Sequence, residues 1–328
     1  MTINTLSPIK ILNAESRGYS KEAESILLSL GTLKTSDLNR ESLIKTIPNY
    51  DVLIVRLGNH IDKEIIDAGL NLKAIVSATT GLNHIDVTYA NQNNVKVLSL
   101  KGEHEFLKNI SATAEHTIAL LLSLMRNIPS ANESVKKGYW DRNLFKGIEI
   151  SGKTFGILGY GRIGTKVAKY AKAFGAKVIV YDIKNVIPEQ KDIVVAKTID
   201  ELLENCEILS IHVPFNESNN QLLNKSQISK LPKNSIIINT SRGEIINEID
   251  LLESLNSSRI LGAALDVLTD EHINSASFSH PLIEYAKTHD NLILTPHVGG
   301  ATYESMYKTE IFMANKLSNW IKSNTGSD

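Results

Sequence analysis

An α/β fold in two domains is predicted for this chain, and three observations carry the prediction. Short apolar runs alternate with helix-patterned segments along most of its length, a rhythm that gives parallel sheets covered by helices. A long amphipathic stretch, Ser111 to Arg126, interrupts that rhythm. A strand–glycine turn–helix–strand unit begins only at Lys153, so the first 100 or so residues must form a domain of their own. The expected architecture is a doubly wound parallel-sheet domain, residues 105–299, inserted into a smaller flavodoxin-like α/β domain of residues 1–104 and 300–328.

The smaller domain is read from apolar runs at Ile9–Leu12, Val52–Val55, Ala74–Val76 and Val95–Leu98. Helical patterns separate them at Glu22–Leu30, Arg40–Thr46, Lys63–Ala68 and Val87–Asn91. The Ser111–Arg126 helix shows Ile118, Leu121, Leu122, Met125 and Ile128 on one stripe, with Ser111 or Asn109 to cap it and Pro129 beyond its end. Ser130 to Ile150 is polar with scattered Tyr139, Trp140 and Phe145, which suggests an arm that packs on another subunit. Strand runs of the larger domain follow at Phe155–Leu158, Val178–Tyr181, Ile208–Val213, Ser235–Asn239, Gly262–Val267 and Leu292–Thr295. A final helical pattern, Met306–Ile321, is expected to return to the first domain.

The glycine turn has a chemical reading. Gly159, Gly161 and Gly164 fit G-x-G-x-x-G between the Phe155–Leu158 run and a helical segment carrying Ile163, Val167, Tyr170 and Phe174. The first glycine permits the turn, the second lets backbone approach a pyrophosphate, and the third lets helix and strand pack closely. The helix N-terminus then faces the anion. Asp182 stands 18 residues past Gly164. A carboxylate there accepts hydrogen bonds from ribose hydroxyls and repels a 2′-phosphate, which favours NAD over NADP. Tyr160, Arg162 and Ile163 complete the loop of this Rossmann motif.

Composition sets outer limits. The formal net charge of -1 gives no electrostatic case for nucleic acid or an anionic membrane. The longest apolar stretch, Ile118–Met125, is too short to span a bilayer, and Met1–Lys10 lacks a signal-peptide pattern. The single cysteine, Cys206, reads as a small buried hydrophobe. A cytoplasmic protein is expected, with no metal.

Three residues stand at or past strand ends of the larger domain, where ligands lie in such sheets. They are Arg242 in Asn239-Thr-Ser-Arg-Gly243, Glu271 five residues after Asp266, and His297 in Thr295-Pro-His-Val-Gly-Gly300. Their types suit hydride transfer between a nicotinamide and a 2-hydroxy acid. His297 would exchange the hydroxyl proton, Glu271 would orient its imidazole, and Arg242 would grip a carboxylate with its planar fork.

From about Val52 to Ala301 the chain resembles the D-isomer-specific 2-hydroxyacid dehydrogenases. The motifs are Gly156-Ile-Leu-Gly-Tyr-Gly-Arg-Ile-Gly164, His212-Val-Pro214, Asn239-Thr-Ser-Arg-Gly243, Gly262-Ala-Ala-Leu-Asp-Val267 and Thr295-Pro-His-Val-Gly-Gly300, in the family's order. The resemblance implies Arg242, Glu271 and His297 as the catalytic set and Asp266 as holder of the nicotinamide carboxamide. It implies that His212, Val213, Pro214, Thr240, Ser241, Gly299 and Gly300 line the NAD site. Thr79, Thr80 and Gly81 would offer backbone N–H groups to the substrate carboxylate, and a homodimer through the NAD domain is implied. Leu53-Ile-Val-Arg56 and Gly81-Leu-Asn-His-Ile-Asp86 are similar to the phosphoglycerate dehydrogenase branch. That branch implies 3-phosphoglycerate as substrate, with Arg56 meeting the phosphate and Lys101 assisting. The alternatives are a hydroxypyruvate or glyoxylate reductase and a non-enzymatic NAD-sensing regulator of the same fold. The chain departs from the family at His272, where Pro is common, with Asp270 as the fallback if the loop slips by one. It departs again at Asn83 and over Lys101–Lys108.

Overall fold

A computed structural model describes residues 8–271 and 279–325. They form two units, 8–110 with 301–325 and 111–271 with 279–300. In the first unit β1 (Ile9–Asn13), α1 (Lys21–Leu28), β2 (Gly31–Thr35), α2 (Arg40–Thr46) and β3 (Val52–Val55) lead the chain. Next come α3 (Lys63–Ala68), β4 (Ala74–Ser77), α4 (Val87–Gln92), β5 (Lys96–Ser99) and α5 (His104–Leu107). The second unit opens with α6 (Ala112–Met125), α7 (Ile128–Lys136), β6 (Thr154–Leu158), α8 (Arg162–Ala173), β7 (Lys177–Tyr181) and β8 (Val194–Val195). It continues through α9 (Ile199–Asn205), β9 (Ile208–Ile211), α10 (Lys225–Ile228), β10 (Ser235–Asn239) and α11 (Glu248–Asn256). β11 (Ile260–Leu265), α12 (Pro281–Ala286) and β12 (Leu292–Leu294) end it, and α13 (Tyr303–Thr325) belongs to the first unit.

Both sheets are parallel throughout. The first runs β2-β1-β3-β4-β5, the flavodoxin-like order. Its strands are buried on both faces, because Ile11, Ile54 and Val76 enter one core while Leu12, Leu53 and Ile75 enter the other. Helix α13 covers the first of those faces through Met313, Ala314 and Leu317, packing on α1. The second sheet runs β12-β11-β10-β9-β6-β7-β8. Its order reverses between β6 and β9, the switch point at which doubly wound sheets bind ligands. Alternate residues again feed two cores: Phe155, Ile157 and Ile236 on one side, Leu158, Leu209 and Ile237 on the other.

Several local readings change. β2 is an added edge strand whose sequence, Gly-Thr-Leu-Lys-Thr, has no apolar run because only β1 pairs with it. Pro129 follows the end of α6 at Met125 as expected but also begins a helix: Asn127 turns the chain at φ +52° and α7 starts at Ile128, which therefore lies outside the α6 stripe, with the proline in the first turn. Ser111 sits at the N-cap of α6 but does not cap it; its hydroxyl accepts from Lys166 Nζ at 3.1 Å. Cys206 is buried and burial pushes its thiol up to about 12, so it is an inert core residue. Among the described residues no helix is long and apolar enough to cross a membrane.

Candidate active site

The glycine turn lies at the switch point, after β6. Gly159 has φ +93°, and a Cβ there would come within 2.8 Å of the His212 carbonyl. A Cβ at Gly164 would meet the Gly159 carbonyl oxygen at 2.1 Å, so helix and turn are pressed together. At Gly161, the N-cap of α8, a Cβ would meet nothing within 4 Å. The backbone there borders open space and no side chain caps the 12-residue helix, an arrangement suited to a pyrophosphate. Tyr160 and Ile163 pack on the core below. Asp182 follows β7 and takes the Tyr160 N–H at 2.8 Å and the Lys184 N–H at 2.9 Å. Two backbone bonds thus fix the carboxylate beside the turn and leave lone pairs for ribose hydroxyls.

The loop after β9 carries His212, Val213 and Pro214. His212 lies 2.8 Å from Ser210 Oγ, and burial pushes its imidazole down to about 3, so it is neutral. Ser241 Oγ donates to the Val213 carbonyl, Asn219 donates to that of Pro214, and Thr240 pairs with Thr117 of α6 at 2.8 Å. These bonds tie the loops after β9 and β10 into one rim.

Arg242 and Glu271 are brought near each other by a glycine. A Cβ at Gly243 would fall 2.1 Å from the Leu268 carbonyl carbon and 2.2 Å from Thr269 N. Only glycine lets the loop after β10 lie against the loop after β11. Asn239 Nδ2 holds the Arg242 carbonyl at 2.7 Å, and the guanidinium itself donates to the Ser241 carbonyl at 2.6 Å. Burial lowers the Arg242 guanidinium, and the carboxylates of Glu271 and Glu244 oppose that shift.

Glu271 accepts from the Leu268 N–H at 3.2 Å and meets His297 Nδ1 at 2.5 Å. A carboxylate partner places a proton on Nδ1 and leaves Nε2 as the nitrogen that exchanges one with a substrate. Glu271, not Asp270, makes this contact; His272 lies outside the described residues. Neither His297 nor Asp270 is relaxed, with φ +52° and +59°, a left-handed backbone that costs a side chain on the order of 1 kcal/mol.

Asp266 holds that turn in place. It is 1% exposed and accepts from His116 Nε2 at 3.2 Å, Thr295 Oγ1 at 2.6 Å, Val298 N at 2.9 Å and Gly299 N at 2.8 Å. Its carbonyl also takes the His297 N–H at 2.8 Å. Burial alone would raise the carboxyl, but the four bonds outweigh it and hold Asp266 below its usual range. A Cβ at Gly299 would meet Asp266 Oδ2 at 2.8 Å, whereas one at Gly300 would be in open space. The residues that sequence reasoning missed are His116 and Thr117, read only as part of the Ser111–Arg126 helix, and Thr295. The first is 150 positions from Asp266, and no local pattern signals the pairing.

In the first unit, Thr79 follows β4. Its hydroxyl donates to the Gly81 carbonyl at 2.8 Å and lies 2.9 Å from Ser77 Oγ, which shapes the Thr79–Thr80–Gly81 turn. Arg56 follows β3, and its guanidinium is bound by Glu310 of α13 and by the Arg17 carbonyl at 2.9 Å. Lys101 is exposed after β5.

Residues 118–299 match the family described as D-isomer specific 2-hydroxyacid dehydrogenase, NAD binding domain. The hydroxypyruvate reductase of Thermotoga maritima is 36% identical over 90% of this chain and 94% of its own. The chain belongs to the D-isomer-specific 2-hydroxyacid dehydrogenase family. The D-3-phosphoglycerate dehydrogenase of Archaeoglobus fulgidus is 35% identical over 96% of this chain, which spans only 58% of that protein. A D-lactate dehydrogenase from Aquifex aeolicus, solved with NAD and lactic acid, shares the fold at TM-score 0.83 and 23% identity, covering 97% of this chain and 100% of its own. The turn geometry and Asp182 fit the NAD of the family.

Proposed function

We propose that this chain is an NAD-dependent oxidoreductase interconverting a small D-2-hydroxy acid and its 2-keto acid. The observation that carries the reading is the 2.5 Å His297–Glu271 pair, set in a strained turn beyond the switch-point sheet with Arg242 on the adjoining loop. Bound NADH supplies the hydride that reaches C2. His297 Nε2 delivers the proton to the carbonyl oxygen, and Glu271 stabilises the imidazolium before and its orientation after transfer. Arg242 binds the substrate carboxylate and polarises the carbonyl. Asp182 and the Gly159–Gly164 turn hold the adenosine and pyrophosphate.

The test is NADH oxidation against glyoxylate, hydroxypyruvate, pyruvate, 2-oxoglutarate and 3-phosphohydroxypyruvate. Turnover of at least one is expected. NADH binding with no turnover of any would replace the enzyme by an NAD-sensing protein.

A homodimer through the NAD-binding unit is part of the same proposal. Trp140 is 90% exposed, with Tyr139 at 65% and Leu144 at 69% on the segment after α7, an apolar group that a partner would cover. Light scattering should read twice 36.2 kDa; a monomeric mass would end the dimer proposal.

A further inference from the structure

Two cations stand just beyond strand ends of the first unit's sheet, the edge at which such sheets meet ligands. Lys101 is exposed, so water and salt screen it. Arg56 is the one with a fixed geometry, and both of its Nη groups are already engaged. One Nη meets the carboxylate of Glu310, and the other donates to the Arg17 carbonyl at 2.9 Å. The Tyr19 ring lies 5.5 Å from the guanidinium carbon. Glu310 is 1% exposed and is itself fixed by the Ser20 N–H at 2.7 Å. A second carboxylate, Glu15, takes the Arg56 N–H and the Gly58 N–H, each at 3.0 Å.

The guanidinium is therefore paired with one buried carboxylate, while Glu15 holds the Arg56 backbone. A phosphate dianion at Arg56 would have to displace Glu310 and leave a buried carboxylate without its cation, or sit beside that like charge. A guanidinium meant for phosphate needs its donors free for bidentate contact, and here a side chain of the same protein takes that place. We infer that Glu310 sets the substrate class: the acid handled by this chain carries no phosphate, and its end remote from the carboxylate is uncharged. The inference rests on the dehydrogenase reading above and deepens it. Specificity arises here from a built-in charge that rejects the competitor.

The test compares two acids that differ only in the phosphate. For the wild type, kcat/KM with NADH is expected to be at least about tenfold higher for hydroxypyruvate than for 3-phosphohydroxypyruvate. Glu310→Gln keeps an oxygen for the Ser20 N–H while removing the charge, and it should shift that ratio toward the phosphorylated acid by about tenfold, through KM. Calorimetry on the NADH-saturated protein with D-glycerate and 3-phospho-D-glycerate, a pairing in which neither partner can accept the hydride, reads the same preference without turnover. Tighter binding of the phosphorylated acid by the wild type would overturn the inference. So would an unchanged ratio in a Glu310→Gln protein of normal melting temperature. If neither keto acid is reduced, the calorimetric preference alone decides this inference, and the dehydrogenase reading fails only if glyoxylate, pyruvate and 2-oxoglutarate are not reduced either. If the variant does not fold, the wild-type preference decides it.

Discussion

His297→Ala is expected to lower kcat by about 10²–10⁴, the contribution of a positioned general acid–base, while NADH still binds. The expectation follows from where the side chain sits. Its Nδ1 is occupied by Glu271 at 2.5 Å, so Nε2 alone can serve the substrate oxygen, and no second titratable group is bonded to that nitrogen among the described contacts. The adenosine and pyrophosphate contacts proposed for NADH lie in the Gly159–Gly164 turn and at Asp182, whose carboxylate is held by backbone N–H groups that do not involve His297. Single-turnover absorbance and NADH fluorescence titration separate the two quantities. Wild-type turnover in the variant would take His297 out of proton transfer. Loss of NADH binding together with turnover would point to collapse of the turn instead of lost chemistry.

Much of this arrangement was legible in the chain because it is written in local patterns. Parallel strands buried on both faces must be continuous apolar runs, so Val52–Val55 and Ser235–Asn239 stood out. A turn that must approach backbone at Gly159 and Gly164 leaves no choice of residue. Edge strands escaped for the opposite reason: β2 and the exposed pair Val194–Val195 of β8 need little apolar surface. Charge pairs across the fold also escaped. Arg56 and Glu310 are 254 positions apart, and an arginine after a strand looks the same whether its partner is a substrate phosphate or a carboxylate returned by the last helix. The same blindness hid His116, which reads as one polar position on a buried helix. The proposed catalytic triplet could be picked out because each member follows a strand end; what holds His297 in its left-handed turn could not.

That support is the basis of the second large expected effect. Asp266→Ala should destabilise the second unit by about 3–5 kcal/mol, the cost of stripping a buried charged network of one side, and should lower kcat as well. The substitution leaves Thr295 Oγ1 and the N–H groups of Val298 and Gly299 without their acceptor, and His116 Nε2 with only Thr295 Oγ1 at 3.0 Å. Buried donors without acceptors cost far more than the net gain of the bonds they lost. The Val298 and Gly299 donors immediately follow His297 at φ +52°, so the backbone strain there loses what offsets it, and the imidazole loses its place. The pH dependence has a definite sign. The folded Asp266 carboxyl is held below its usual range, whereas the unfolded one titrates near 4. Stability from Asp266 is therefore complete above about pH 4 and is lost as pH falls through the lower folded value. Melting temperatures of wild type and Asp266→Asn should differ most at neutral pH and converge in acid. A difference that stays constant down to pH 3 would mean that the charge of Asp266 contributes nothing, and that its shape alone keeps the His297 turn.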